Sequence, residues 1–253
     1  VPLIVDNTWG AGGYLCRPLE HGGDAVVHST TKWIGGHGVA IGGAVVDGGT
    51  FDWGAHSDRY PGFSKRNAQG ARILDQAPDH PLAARVVDLG LATMGMTLSP
   101  FAAYLFLQGI DTLKLRVRRA CDSTLDLAHR LRELPGVTRI VYPGLPDHPS
   151  HATAARLLEN GFGTVLGIVF EKEAIARGTL DRLDLVSHLA NIGDAKTVAI
   201  QPWATTHAGL RDDAKRAAGV VPELIRVSVG IEHVDDLFED LSQAIEGAVR
   251  ATR

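Results

Sequence analysis

Two residues in this chain have the types and the placement to grip a flat, charged ring from opposite ends. Asp6 closes the apolar run Val1-Pro2-Leu3-Ile4-Val5. Lys32 follows the run Ala25-Val26-Val27-His28 and the hydroxyl-bearing Ser29-Thr30-Thr31. Each run is short and continuously apolar, which reads as a strand buried on both faces, as in a parallel sheet. In open α/β sheets ligands sit beyond the carboxyl ends of the strands, so a carboxylate and an amine there converge on one ligand. Pyridoxal phosphate needs such a pair: a lysine that forms a Schiff base with its aldehyde and an aspartate facing the pyridinium nitrogen. Ser29 and Thr31 offer donors to its phosphate, and the glycines at 35, 36 and 38 allow close backbone approach. Each residue also has a plainer reading, Asp6 as a cap or turn residue and Lys32 as a solvated charge.

The elements that must position this pair follow from the apolar periods. A third run, Val39 to Val46, lies too near the second for a crossover helix and is expected to run antiparallel. Residues 47 to about 80 show no sustained period and read as a long surface excursion. A helical pattern begins at Leu82. Ser99-Pro100 opens a further helix in the cap-then-proline manner, Gly109 interrupts it, and Asp111 caps a long helix to about Leu134. Beyond Pro135-Gly136 the expected order is strand (Thr138 to Tyr142), loop, helix (Ala152 to Asn160), strand (Thr164 to Phe170), helix (Asp181 to Ala190), strands at Thr197 to Gln201 and Leu224 to Gly230, and a last helix over Val234 to Ala251. The spacing of Leu113, Val117, Ala120, Leu127 and Leu131 marks a core-facing helix stripe.

Length and composition narrow the class. The 253 residues carry 45% hydrophobic and 21% charged side chains, enough for a packed core. A net charge of −4 leaves no basic excess for nucleic acid, and Arg116, Arg118 and Arg119 read as a solvated helix face. No apolar run is long enough to span a bilayer. The two cysteines, Cys16 and Cys121, suit a reducing, cytoplasmic setting and read as small buried hydrophobes. His148 and His151 lack the Cys or acidic partners of a metal site, so no metal is expected. A nucleotide-binding reading of Gly35 to Gly43 fails: no Gly-Lys-Ser/Thr ending follows, and Ile41 stands where a third glycine would be needed.

The wording of the segments carries more than their pattern. Val5-Asp6-Asn7-Thr8, Val26-Val27-His28-Ser29-Thr30-Thr31-Lys32-Trp33 and Gly36-His37-Gly38 resemble the cofactor signature of the Cys/Met-metabolism family of pyridoxal-phosphate enzymes. So do Ser99-Pro100-Phe101, Tyr142-Pro143-Gly144-Leu145, Asn191-Ile192-Gly193-Asp194, Thr205-Thr206-His207 and Ile225 to Glu232. Within the family the wording around Asp6 and Lys32, with the insert bearing Phe51-Asp52-Trp53, is most similar to the O-acetylhomoserine sulfhydrylase branch. Trp203, before the Thr-Thr-His segment, departs from it and would reshape the amino-acid site.

The resemblance implies an α/β fold: the remainder of an aspartate-aminotransferase-like (fold type I) large domain over residues 1–115, and a smaller C-terminal α/β domain over 116–253. It implies pyridoxal 5'-phosphate as cofactor, Lys32 as the Schiff-base lysine and catalytic base, and Asp6, Ser29 and Thr31 as its other contacts. Arg226 would take the substrate α-carboxylate, with Asn191 beside it or serving as a helix C-cap. His37 and His207 would be structural. The implied activity is a transferase's γ-replacement on an O-acyl-homoserine by sulfide or a thiol, in methionine biosynthesis. γ-Elimination, or replacement with another nucleophile, is the alternative. The implied assembly is a homo-oligomer, a dimer of dimers. Because Val1 opens directly inside an apolar run, an upstream segment is expected to accompany the chain.

Overall fold

A computed structural model describes residues 1–67 and 69–253. Strands β1 (Ile4–Asp6), β2 (Ala25–Ser29) and β3 (Gly43–Asp47) form one sheet in that order. β1 and β2 are parallel, with Asp6 opposite Val27, and β3 returns antiparallel. The antiparallel return agrees with the short spacing. Burial of the first run on both faces does not hold: Ile4 of β1 and the preceding Leu3 are exposed, and among the described residues β1 pairs on one edge only.

The stretch after β3 is more structured than its sequence suggests. It contains the short helices α1 (Pro61–Ser64) and α2 (Ile73–Gln76) and a small core of Trp53, Phe63 and Ile73. The Trp53 and Phe63 rings stack with centroids 4.2 Å apart. Aromatic packing substitutes here for a period that no local pattern shows. Helix α3 (Pro81–Arg85) passes into a wide π-helical turn at Val86–Thr93.

Helix α4 (Pro100–Leu131) is a single element of 32 residues. Ser99 caps it, its side chain accepting from the Ala102 amide at 3.1 Å. Gly109 does not interrupt it. A Cβ there would stand 2.3 Å from the Ile34 carbonyl oxygen, so the glycine lets the helix press against the turn that follows Lys32.

The second sheet combines β4 (Val137–Val141), β5 (Val165–Phe170), β6 (Ser187–His188), β7 (Val198–Ile200) and β8 (Leu224–Ser228) in the order β4-β5-β8-β7-β6. The main core joins alternate β5 residues Leu166, Ile168 and Phe170 to Leu127 and Leu131 of α4. Ile175, Ala176 and Leu180 of α6 (Glu173–Leu180) and Leu237, Leu241 and Ile245 of α8 (Val234–Thr252) complete it. Helices α5 (His151–Leu157) and α7 (Asp212–Ala217) are short surface pieces.

The helix expected over Asp181 to Ala190 is absent. That segment runs irregularly into β6, and α6 precedes it. The cause is tertiary: the buried Asp240 carboxylate on α8 accepts from the amides of Asp184, Leu185 and Val186 at 2.9, 3.0 and 2.8 Å. Amides of 184–186 held by this carboxylate are not available to the i→i−4 ladder of a helix starting at Asp181.

A second core of Ala11, Leu15, Trp33, Val117, Cys121 and Ile192 lies at the seam between the two sheets. Burial pushes the Cys121 thiol up to about 11, so it behaves there as a hydrophobe; Cys16 is only partly buried. No described helix is long and apolar enough to cross a membrane.

Candidate active site

The parallel pairing of β1 and β2 brings both strand ends out on one side of the sheet. Asp6, the last residue of β1, accepts from the Thr8 amide at 3.0 Å. The Thr8 hydroxyl and amide hold the Asp6 carboxyl below its usual range, against a smaller opposing effect of burial. The same Thr8 hydroxyl accepts from the Ser29 amide at 2.8 Å, tying the two strand ends together. In the sequence Thr8 stands within the Val5-Asp6-Asn7-Thr8 motif with no role of its own; the link to Ser29 appears only in the fold.

Ser29 closes β2, and the chain then turns through Lys32. The Thr31 hydroxyl accepts from the Gly42 amide at 3.1 Å and lies 3.3 Å from the Gly42 carbonyl. The Lys32 ammonium donates to Asn191 Oδ1 at 2.9 Å. Asn191 is no helix C-cap; it sits in the loop between β6 and β7. Its Nδ2 donates to Asp194 Oδ2 at 3.3 Å, and its backbone carbonyl accepts from Arg226 Nη2 at 3.4 Å. Lys32, Asn191 and Arg226 thus meet, although 159 residues separate the first two. Asp6 and Ser29 form a neighbouring group joined through Thr8, and the Ser29 carbonyl accepts from the Lys32 backbone amide at 3.2 Å; among the described residues neither side chain bonds the Lys32 ammonium.

Arg226 projects from β8 and is half-buried, and burial pulls its pKa down. Among the described residues no carboxylate lies within ion-pair distance of it. A partly desolvated guanidinium with one long hydrogen bond is suited to an incoming carboxylate.

Arg116 overturns the expectation of a solvated face. It is 7% exposed. It donates to the Gly109 carbonyl at 2.7 Å and the Trp33 carbonyl at 3.1 Å, while its Nε donates to the Thr112 hydroxyl at 3.0 Å. Any Cβ at Gly36 would fall 2.0 Å from Arg116 Nη1. The guanidinium therefore fastens the turn after Lys32 onto α4, a role invisible without the fold. Arg118 and Arg119 are exposed, as expected.

The remaining candidates resolve simply. His37 Nδ1 pairs with the Gly35 carbonyl at 2.8 Å, and His207 Nδ1 with the Thr206 hydroxyl at 3.0 Å. His151 Nδ1 pairs with the Pro143 carbonyl and its ring stacks on Phe162. No cluster of three or more potential metal ligands occurs among the described residues. Trp203 does not stand free: Lys215 and Arg216 of α7 lie 4.4 and 5.3 Å from its ring centroid, a cation–π clasp. A cleft of about 220 Å³ lined by Asn7, Arg17, Glu20, Val26, His28 and Val46 does not include Lys32 or Arg226.

The residues present suit pyridoxal phosphate. An aspartate held ionised, an amine hydrogen-bonded to a neutral amide instead of locked in an ion pair, and paired hydroxyls at one strand end are its donor and acceptor set.

Comparison with known proteins agrees. The model of the family described as Cys/Met metabolism PLP-dependent enzyme matches residues 1–246. The sulfhydrylase FUB7 of Gibberella moniliformis is 46% identical over 254 residues, covering 99% of this chain and 59% of its own. The homocysteine synthase of Schizosaccharomyces pombe is 45% identical, covering 98% of this chain and 58% of its own. A structure assigned as an O-acetylhomoserine (thiol)-lyase of Campylobacter jejuni, containing N'-pyridoxyl-lysine-5'-monophosphate, superposes with a TM-score of 0.89 at 31% identity over 97% of this chain and 59% of that one. The chain therefore spans rather less than two thirds of the length of the relatives it matches.

Proposed function

The chain belongs to the Cys/Met-metabolism family of pyridoxal-phosphate (PLP)-dependent enzymes, and from that premise we propose that it carries the lysine and carboxylate-binding residues of a γ-replacement enzyme. The substrates are an O-acyl-homoserine and sulfide or a thiol, and the products are homocysteine or a methionine-like amino acid with the released acid. The observation that carries the reading is the junction at Asn191, which accepts from Lys32 at 2.9 Å and from Arg226 at 3.4 Å. One residue thus joins the amine to the group suited to an amino acid's carboxylate.

In this reading Arg226 forks onto the α-carboxylate and orients the substrate. Asp6, held ionised by Thr8, keeps the cofactor's ring nitrogen protonated. Ser29 and Thr31 donate to the phosphate. Bound pyridoxal phosphate supplies the electron-accepting ring and the aldehyde with which the Lys32 amine condenses. Once the substrate amine has displaced Lys32, the freed Nζ would move protons at Cα and Cβ while the acyloxy group leaves Cγ as its carboxylate and the sulfur nucleophile takes its place. The sulfhydrylase and homocysteine synthase among the relatives support replacement by sulfur.

The wider assignments rest on the same footing. We place a division into a large cofactor domain (1–115) and a small domain (116–253) inside α4, between the two sheets. A homotetrameric assembly is supported by the exposed apolar side chains Phe101, Leu107 and Leu115 of α4. A role in methionine biosynthesis in the cytoplasm fits the substrates and the two free cysteines.

The test is borohydride reduction of the holoenzyme followed by peptide mapping, with an assay of O-acetylhomoserine in the presence and absence of sulfide. The pyridoxyl group is expected on Lys32, and homocysteine only when sulfide is present. Label on another lysine, or keto acid and ammonia released without sulfide, would overturn the lysine assignment or the replacement chemistry respectively.

A further inference from the structure

Asparagine is an ambiguous partner for an ammonium, because its two ends differ only in which atom accepts. As an ammonium Lys32 can only donate, so Asn191 helps that form only with Oδ1 turned inward. Something must hold the amide that way round. On the far side of Asn191 lies Asp194, whose Oδ2 sits 3.3 Å from Asn191 Nδ2. An ionised carboxylate accepts only, so it draws the NH₂ end toward itself and leaves Oδ1 facing Lys32 at 2.9 Å. Reversing the amide would set an oxygen against a carboxylate and an NH₂ against an ammonium, two like contacts at once.

Asp194 is itself held. Its Oδ1 accepts from the Lys196 amide at 3.1 Å. The flanking backbone is pinned independently, with the Ala195 amide donating to Gly36 at 2.7 Å and the Ile231 amide donating to Ala195 at 2.9 Å. The turn after Lys32 closes over the pair: a Cβ on Gly38 would stand 3.0 Å from Asp194 Oδ2 and 3.8 Å from Asn191 Nδ2. Buried Arg116 adds a positive field on the Asp194 side.

We propose that Asp194 is a positioning residue that acts through Asn191 to fix the Lys32 amine. The proposal rests on the reading of Lys32 as the cofactor lysine and proton carrier. It predicts a division of effects. Substrate binding depends on Arg226 and should be spared, whereas steps that use the Lys32 amine should slow.

The experiment compares D194A, D194N, N191A and the N191A/D194A double variant as holoenzymes. The readouts are kcat, KM for O-acetylhomoserine, and the rate at which each apoenzyme captures added pyridoxal phosphate, followed by imine absorbance. Because backbone bonds pin the segment, D194A should fold. Its kcat and capture rate should fall about tenfold, or about 1.4 kcal/mol, with KM little changed. D194N, whose amide oxygen can still accept from Asn191, should recover much of that loss. In the N191A background, D194A should do nothing further, since the relay is already broken. Unchanged kcat and capture in D194A, or an equal loss in the N191A background, would overturn the proposal. Borohydride mapping separates the two levels. Label on Lys32 in the native enzyme with a silent D194A refutes the positioning role alone, whereas label elsewhere refutes the site reading beneath it.

Discussion

Arg226 reaches the site with one 3.4 Å hydrogen bond and no counter-charge among the described residues. Lysine at this position keeps the charge but cannot form two parallel bonds to a carboxylate. Losing one charge-assisted bond is worth roughly 1.5–3 kcal/mol. R226K should therefore lower kcat/KM by about tenfold to a hundredfold, mainly through KM; an unchanged value would remove Arg226 from substrate binding. His28, one residue before Ser29, has a buried Nδ1 with no hydrogen-bond partner among the described residues. Burial depresses its pKa below the ordinary 6.5, while the Asn7 backbone and the Asp6 carboxylate pull the other way. A histidine depressed in the folded state binds fewer protons than in the unfolded chain. Its contribution to stability is complete above about pH 6.5 and is lost as pH falls through that value toward the folded pKa. The Asp6 carboxyl, also depressed, acts in a lower window, its contribution lost as pH falls below its ordinary 3.8. Thermal melts between roughly pH 7 and 5 should show a declining Tm that H28Q flattens; an equal slope in both proteins would discount His28.

At the scale of elements, α4 and the turn after Lys32 behave as one unit. Replacing a glycine by alanine inside a helix ordinarily stabilises by about 1 kcal/mol. At Gly109 the sign should reverse, because the new Cβ meets the Ile34 and Gly35 carbonyl oxygens at 2.3 and 2.5 Å. Overpacking of this kind costs about 1–3 kcal/mol, and relief by shifting the turn would displace Lys32. G109A should melt at a lower temperature and lose activity; a more stable variant would show that the contact is loose. The same glycine illustrates the limit of local reading. Taken alone it reads as an interruption, since nothing in its helix shows which backbone lies against it. The irregular 181–190 segment has the same origin, its amides held by Asp240 from more than 50 residues away.

For the molecule as a whole, the unpartnered apolar surface has consequences in solution. Phe101, Leu107 and Leu115 of α4 are 70, 62 and 73% exposed, Met96 just before the helix is 70% exposed, and no described residue covers them. Apolar surface of this extent marks an interaction face. The protein should sediment as a dimer or larger, and L107K should shift it toward smaller species. A monomer at micromolar concentration would argue against the proposed homo-oligomer.

By itself the sequence specified the two strand ends, their carboxylate and amine, the cap-and-proline start of α4, and the Asn191–Asp194 and Ile225–Glu232 motifs. These are local patterns of period, capping and wording, readable over a few residues. The tertiary structure alone decided that Arg116 is a buried clamp instead of a solvated charge, because its partner Trp33 lies 83 residues away. It alone set Asn191 between Lys32 and Arg226, turned Trp203 onto α7, and drew the 181–190 backbone out of helix. In each case a polar or charged group found its partner across the chain. Burying such a group unpaired would cost more than any local propensity could return.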